Sequence, residues 1–190
     1  MNLEYLSDVQ KRAVTLVDGP VLVLAGAGSG KTSVLTNRVA YLMQEKQVEP
    51  YHILAITFTN KAANEMKERI QALVEEDVRR MAIGTFHSIC ARFLRHDAEL
   101  LGYKPNFTIY DTDDSKRVIR DILKELNLDE KAFQPRSVLS VISHAKDEYQ
   151  SPEEFAAKHA HENDWKMSRI AKVYAAYAKK LRAANALDFD

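Results

Sequence analysis

The chain has 190 residues, 46% of them hydrophobic, and its 27 basic residues balance 27 acidic ones. This length suits one sizeable core, or one compact domain with a smaller companion. The even charge excludes a strongly basic protein, although a neutral chain can still carry a local basic face. A single cysteine, Cys90, excludes an internal disulfide framework and is typical of a reducing compartment. The N-terminal residues mix charged and apolar side chains, so we expect no signal peptide, no membrane span and a cytoplasmic location.

Three short apolar runs in the first half predict β-strands, and each is followed by a segment with helical spacing. The runs are VLVLA at 21–25, ILAITF at 53–58 and MAIGTF at 81–86. The apolar stripes that follow them are Val34, Leu35, Val39, Leu42 and Met43; Ala63, Met66, Ile70, Leu73 and Val74; and Phe86, Ile89, Cys90, Phe93 and Leu94. Strands that alternate with helices predict an α/β fold in which a buried parallel sheet carries helices on both faces.

The chain after residue 102 is predicted to be mainly helical, because no glycine follows Gly102 and strand-like runs almost disappear. Three acidic residues are placed to favour a helix N-terminus, namely Asp111, Asp113 and Asp114. Further helices are predicted at about 136–146, 152–160 and 163–185. His159 and His161 stand two apart on a predicted helix, so their rings diverge and we expect no metal site there.

Residues 25–32, AGAGSGKT, follow the first predicted strand and open the first predicted helix. The pattern G-x-x-x-x-G-K-[ST] binds phosphate through backbone N–H groups and a lysine, and its hydroxyl holds Mg²⁺. Lys31 and Thr32 fit its last two positions, whereas Ala25 replaces the first glycine and adds one methyl group. The predicted nucleotide-binding residues are Gly26, Ala27, Gly28, Ser29, Gly30, Lys31 and Thr32. The alternative is a glycine-rich turn with a chance lysine.

A polar turn with an aromatic residue, TFTNKAA at 57–63, follows the second predicted strand. The carboxyl ends of parallel strands are where ligands bind in open α/β sheets. Phe58 could stack on a nucleobase there, and Asn60 could cap the next helix or hold a phosphate. Composition alone favours a buried Phe58 and a capping Asn60.

The segments AGAGSGKT, TFTNKAANEM and IGTFHS, in this order and spacing, resemble the superfamily 1 DNA helicases of the UvrD, Rep and PcrA group, with the PcrA-like members nearest. Residues 6–14, LSDVQKRAV, resemble the family's Q motif, and residues 187–190, LDFD, resemble the start of its LDFxDL segment. Ala25 is usual in this family. The resemblance implies an ATP-dependent DNA helicase or translocase with a P-loop (RecA-like) fold, a 3′ to 5′ direction and a role in DNA repair.

The resemblance also implies roles for single residues. Gln10 would contact adenine through its amide, Lys31 would neutralise the β- and γ-phosphates of ATP, and Thr32 would hold Mg²⁺. The residues that would contact single-stranded DNA are Phe58, Thr59, Asn60, Thr85 and His87. Without the resemblance, Gln10 would more simply be a surface glutamine and His87 a capping or partly buried histidine.

The family carries a helical insertion, called 1B, within its first motor domain, 1A. The resemblance therefore implies a division into 1A, residues 1–102 and 184–190, and 1B, residues 103–183. The last predicted helix of 1B has six basic residues and no acidic one from Lys166 to Arg182, on the side opposite an apolar stripe. That face is either solvated or in contact with duplex phosphates at a DNA junction, in which case Lys172 and Lys179 are the expected contacts.

FTIYD at 107–111 looks like a Walker B strand that ends in an acid, but no second carboxylate follows directly, and the resemblance places it at the start of the insertion. The family's Asp-Glu pair, its γ-phosphate-sensing glutamine and the arginines of its second domain have no counterpart in the sequence. We therefore expect the N-terminal piece of a helicase, with the remaining helicase domains as its partners. The alternatives are part of an AddA- or RecB-type helicase–nuclease subunit, or a non-catalytic module that binds DNA or protein.

Overall fold

The computed structural model describes residues 1–160 and 165–190. The polypeptide folds into two compact units, Met1–Phe93 and Leu94–Asp190. Residues 94–102 and 184–190, which the family resemblance assigns to 1A, fall in the second unit of this division; the assignment of 1A and 1B stays a prediction. None of the described helices is long and apolar enough to cross a membrane.

The first unit alternates helices with a pair of strands. Its elements are α1 (Asp8–Thr15), α2 (Lys31–Gln44), β1 (Leu54–Thr57), α3 (Asn60–Gln71) and β2 (Ala82–Thr85). Helix α4 (Phe86–Asp97) begins in this unit and continues into the second one. The two strands pair in parallel, with Leu54 opposite Ala82 and Thr57 opposite Thr85. The predicted mixed fold with parallel strands is thereby confirmed. Because the pairing is in register to its last residue, both strands end at the same edge.

The core of the first unit forms where α2 and α3 meet the strands. The apolar stripes predicted on these helices supply it, and Ile70 of α3 is fully buried. The members of this cluster are Val39, Ala40, Met43, Ile53, Ala55, Met66, Ile70, Val74, Val78, Met81 and Ile83. A helical face with apolar residues three and four apart is what a strand pair can bury, so the periodic pattern locates these helices correctly.

The strand predicted at 21–25 is not formed, so this prediction is wrong. The segment pairs with none of the described strands, and the side chains of Leu22 and Leu24 are 83% and 88% exposed. A strand needs a hydrogen-bonded neighbour, and an apolar run without one stays extended and exposed. The expected cover on both faces of the sheet is also wrong for β1, where Ala55 is buried but Leu54 and Ile56 are exposed.

The second unit is mainly helical, as predicted. Its helices are α5 (Thr112–Glu125), α6 (Pro135–Asp147), α7 (Pro152–Lys158) and α8 (Trp165–Ala183). Two short strands, β3 (Thr108–Ile109) and β4 (Ala186–Leu187), pair in parallel. The predicted start of the last helix at 163, and the predicted absence of a metal site that involves His161, lie outside the described residues.

The acid that ends the Walker B-like segment has a structural role. Asp111 is the N-cap of α5, and one of its carboxylate oxygens accepts hydrogen bonds of 2.8 Å from the backbone N–H groups of Asp113 and Asp114. The predicted acidic helix start is therefore observed, with Asp114 completing a capping box. Asp111 belongs to helix initiation in the second unit, which agrees with the rejection of a Walker B strand at this position.

Candidate nucleotide and DNA sites

The glycine-rich loop, residues 25–32, leads directly into helix α2. Gly28 and Gly30 have φ angles of +76° and +81°, and Gly30 is the N-cap of the helix. A side chain is strained in this left-handed region, which explains glycine at both positions. Apart from neighbouring residues, no atom lies within 4 Å of where a Cβ atom would stand on Gly26 or Gly28. The loop backbone is therefore open to an approaching ligand.

Lys31 lies on the first turn of α2 and folds back over the loop. Its Nζ atom donates to the carbonyl oxygens of Gly26, at 2.7 Å, and Ala25, at 3.1 Å. Ser29 closes the same loop by donating from its hydroxyl to Gly26 at 2.7 Å. These acceptors are neutral carbonyl groups, so a charged phosphate oxygen would compete for the ammonium group with a stronger, charge-assisted hydrogen bond.

The first turn of α2 has the electrostatics that an anion requires. It contains no acidic residue, and its N–H groups point out of the helix end toward the loop. Thr32 is exposed in this turn and its side chain makes no hydrogen bond with a described residue, so its hydroxyl is accessible. Backbone donors, an ammonium group and a hydroxyl thus converge at one helix N-terminus, which is the chemistry that holds a phosphate with its magnesium ion.

Gln10 connects helix α1 to this loop. Its Nε2 atom donates to the carbonyl oxygen of Ser29 at 3.0 Å, and its Oε1 atom accepts from the backbone N–H of Ser7 at 3.0 Å. The second bond is half of the capping box that begins α1. A Cβ atom on Gly30 would lie 2.9 Å from Gln10 Nε2, so the close approach of the two segments also depends on that glycine. The structure brings the predicted adenine-binding residue to the predicted phosphate loop.

The turn after β1 presents a fully exposed aromatic ring. The Phe58 side chain is 96% exposed, so the buried position that composition favoured is wrong. Thr59 caps α3 by accepting a hydrogen bond of 3.1 Å from the backbone N–H of Ala62. Asn60 is therefore the first residue of the helix and not its cap, and its side chain makes no hydrogen bond with a described residue. Phe58 and Asn60 are both available to a ligand.

The turn after β2 reaches the same edge of the strand pair. Thr85 lies opposite Thr57 in the parallel register, and its Oγ1 atom accepts a bond of 3.3 Å from the backbone N–H of Ser88 at the start of α4. His87 is exposed on the first turn of α4 and packs edge-on against Phe86, with ring centroids 6.0 Å apart. The predicted DNA-contacting residues of the two turns therefore emerge from neighbouring strand ends.

Phe86 is a candidate DNA-contacting residue that was not predicted from the sequence. It was interpreted as part of a strand and an apolar stripe, yet 60% of it is exposed at the beginning of α4. The available signal was the repeated Thr-Phe pair: both runs, ILAITF and MAIGTF, end in these two residues, and the two threonines are partners in the register.

The basic residues of α8 divide into two groups. Lys180 pairs with Glu125 at 2.7 Å, and the Arg182 guanidinium lies 5.1 Å from the centroid of the Tyr103 ring. The exposed basic side chains that make neither an ion pair nor a ring contact with a described residue are Lys166, Arg169, Lys172 and Lys179. The opposite face is buried through Ile170, Val173, Tyr174, Tyr177 and Leu181. The predicted amphipathic helix is confirmed, and four cations remain on its open face.

Comparison with known proteins identifies the family to which these features belong. The family model described as the UvrD/REP helicase N-terminal domain matches residues 6–190. This chain belongs to that family. The chain is 51% identical over 185 residues, 97% of its length, to the ATP-dependent DNA helicase PcrA of Staphylococcus epidermidis, and 50% identical over 188 residues, 99% of its length, to that of Staphylococcus aureus.

The chain spans about a quarter of the length of these PcrA relatives, because each alignment covers 25% of the relative. It therefore corresponds to an N-terminal portion of the UvrD/REP helicase architecture. Three of its elements carry the residues singled out above: the loop before α2, the two turns that follow β1 and β2, and the open face of α8.

Proposed function

We propose that the chain is the ATP-binding and DNA-contacting N-terminal part of an ATP-dependent DNA helicase or translocase of the PcrA type. The observation that carries this proposal is the convergence of Lys31, Thr32 and Gln10 on one open glycine-rich loop, in a chain that matches UvrD/REP helicases from residue 6 to 190. A 3′ to 5′ direction, DNA repair and the cytoplasm are part of the proposal, and they rest on the family resemblance and the single cysteine.

ATP would bind with its phosphates over the backbone N–H groups of residues 28–31. Lys31 would exchange its two carbonyl acceptors for β- and γ-phosphate oxygens, and the Thr32 hydroxyl would be a ligand of the Mg²⁺ ion that accompanies the nucleotide. The ion supplies charge neutralisation between the phosphates when it is bound. The residues present fit this cofactor, since the loop is open above Gly26 and Gly28 and no acidic side chain stands on the first turn of α2.

Single-stranded DNA would cross the edge where β1 and β2 end. Phe58 offers an exposed ring for a nucleobase, and stacking on an aromatic side chain contributes about 1–3 kcal/mol per base. Asn60 and His87 would contribute polar contacts, while the Thr85 hydroxyl already supports the start of α4. Thr59 is similarly engaged in capping α3, so its contact would come from the backbone or from a hydroxyl shared with the cap.

Duplex DNA at a junction would contact the open face of α8. Lys172 and Lys179 stand two turns, about 10 Å, apart on the same exposed face, so each could neutralise a separate phosphate. Their ammonium groups would displace condensed counterions, so this contact would be strongly dependent on salt. The buried apolar face opposite them anchors α8 within the second unit.

ATP hydrolysis by the 190-residue chain alone tests how complete the site is. We expect weak ATP binding and no useful rate, because rate depends on groups that meet the charge that develops in the transition state. In related enzymes an arginine finger alone is worth about 10³–10⁵ in rate. The measurement is calorimetric ATP·Mg binding together with phosphate release, with and without single-stranded DNA.

The matched variants are Lys31→Ala and Lys46→Ala, since both remove an exposed lysine of the α2 region. We expect Lys31→Ala to abolish ATP binding and Lys46→Ala to preserve it. Equal affinity in both variants would overturn the proposed nucleotide site. A DNA-stimulated rate that Lys31→Ala removes would show that the complete catalytic set lies within these residues, contrary to the proposal.

A further inference from the structure

A largely buried polar cluster joins the three long helices of the second unit to the residue that follows its last strand, β4. Asp188 follows β4, and both of its carboxylate oxygens accept from Lys146 Nζ of α6, at 2.7 and 2.6 Å. Tyr177 of α8 donates its hydroxyl to Asp188 at 2.9 Å. Ser115 of α5 lies beside the Tyr177 hydroxyl and completes the cluster. We call these four side chains the exit clasp.

The exit clasp is shielded from water, which makes its members depend on one another. The side chains of Asp188 and Lys146 are 9% and 24% exposed, Ser115 is buried, and Tyr177 is completely buried. A buried charge that loses its partner is strongly destabilising, whereas a fully paired one is tolerated. Burial first, and then the Asp188 charge, raise the pKa of the Tyr177 phenol, so the hydroxyl stays protonated and remains a donor.

The strand that the clasp holds is paired with the strand that leads into the helices. The Thr108 N–H donates to the carbonyl of Asn185 at 3.0 Å, and the Tyr110 N–H donates to the carbonyl of Leu187 at 2.7 Å. The register between β3 and β4 extends over only two residues of each strand. A strand pair this short has little stability by itself, so the side-chain hydrogen bonds at its end determine how often it opens.

We propose that Lys146 and Tyr177 are positioning residues that fix Asp188, and with it the end of β4, to helices α6 and α8. Tyr177 projects from the buried face of the helix whose open face carries Lys172 and Lys179. A force that DNA exerts on that open face would therefore be transmitted through the exit clasp to Asp188 and to strand β4. This inference rests on the proposed function for its role in DNA unwinding, but the clasp itself is a property of this unit.

Amide hydrogen exchange of the 190-residue chain tests the clasp directly. Lys146→Met should speed exchange at Tyr110 and Thr108 at least tenfold while the amides in the middle of α5 keep their protection. Lys146→Arg should restore slow exchange, because it returns a cation that can bond both carboxylate oxygens. Lys158→Met is the matched control. Lys158 is half exposed, and its Nζ atom lies 3.4 Å from a carboxylate oxygen of Glu148, which is not a member of the exit clasp.

A variant that unfolds cannot report on positioning, so Lys146→Met is paired with Lys146→Met/Asp188→Asn, which leaves no buried charge alone. We expect the double variant to fold and to keep fast exchange at Tyr110. Slow exchange at Tyr110 in this folded double variant, or equal acceleration by Lys158→Met, would overturn the clasp.

In a full-length helicase that carries this chain as its N-terminal segment, the double variant should keep its single-strand-stimulated ATP hydrolysis and lose most of its duplex unwinding. Equal loss of both activities would contradict a positioning role. Absence of both activities from the unmodified protein would instead overturn the proposed function, and the exchange result would stand.

Discussion

The Gln10 side chain donates to the Ser29 carbonyl at 3.0 Å while its other end accepts from the Ser7 N–H. Each end of the amide thus makes one bond, which leaves a second N–H and a second oxygen lone pair that an adenine edge could use. The bond to Ser29 is the one that ties α1 to the glycine-rich loop.

The first prediction concerns base selectivity. Gln10→Glu keeps an acceptor but removes the NH₂ donor, so it should narrow the difference in affinity between ATP and GTP. One neutral hydrogen bond is worth about 0.5–1.5 kcal/mol net, so the preference should fall about twofold to tenfold. Titration of the chain with each nucleotide in Mg²⁺ measures the effect. If Gln10→Glu prefers ATP over GTP as strongly as the unmodified chain does, Gln10 does not recognise adenine.

The second prediction concerns the exposed ring at the end of β1. Phe58→Ala should weaken binding of a single-stranded oligonucleotide by about 1–3 kcal/mol for the base that stacks there. Phe93→Ala is the matched control, since Phe93 is also an exposed phenylalanine but lies on α4 away from the strand ends. Fluorescence anisotropy at fixed salt measures both. The hypothesis fails if Phe58→Ala binds as the unmodified chain does, or if Phe93→Ala loses as much.

The third prediction concerns the open face of α8. Reversal of Lys172 and Lys179 to glutamate should lower affinity for a duplex junction and flatten the logarithmic salt dependence by about one unit for each phosphate that is no longer neutralised. Lys104 and Lys124, both exposed, provide a control with the same change in net charge. Equal slopes for the two double variants would mean that only overall charge matters and that the α8 face is merely solvated.

The fourth prediction concerns the pH dependence that Asp111 gives to the second unit. Hydrogen bonds from the N–H groups of Asp114 and Asp113 lower the pKa of this carboxyl. A group with a depressed folded pKa stabilises fully above its unfolded pKa, about 3.9, and loses that effect as pH falls through the folded pKa. Asp111→Asn retains a capping oxygen without the charge, so it should unfold in urea with less dependence on pH between 7 and 3.

Asp121→Asn is the control for this measurement, because Asp121 is exposed within the same helix and is not its cap. Circular dichroism follows the transition. If Asp111→Asn and the unmodified chain lose the same free energy of unfolding on acidification, the Asp111 carboxylate does not contribute to the pH dependence of stability.

Local patterns predicted the helices well. The stripe through Met66 and Ile70 located α3, and the acidic residues at 111–114 located the start of α5. Both features depend on residues only a few positions apart, so a short stretch of sequence is enough to recognise them. The segment at 21–25 was misjudged for the opposite reason. An apolar run specifies a strand only when a partner strand is present, and the pattern itself does not contain the partner.

At the candidate sites, the sequence predicted which residues belong to a site more readily than which hydrogen bonds they make. Phe58 and the glycine-rich loop were recognised from their motifs, yet only the structure assigns the α3 cap to Thr59 and leaves Asn60 uncommitted. The exit clasp was not predicted at all. Lys146 and Asp188 are 42 positions apart, and neither stands in a pattern that signals the other.

The parallel pairing of β3 with β4 brings Ile109 opposite Leu187, so the polypeptide between them begins and ends at adjacent points. A peptide cut to this segment would have its two termini side by side, and a few added residues could join them into a ring. Closing so short a gap costs little chain entropy, and the closed ring would have fewer unfolded conformations to lose on folding. The helical portion of the chain is therefore suited to head-to-tail cyclisation.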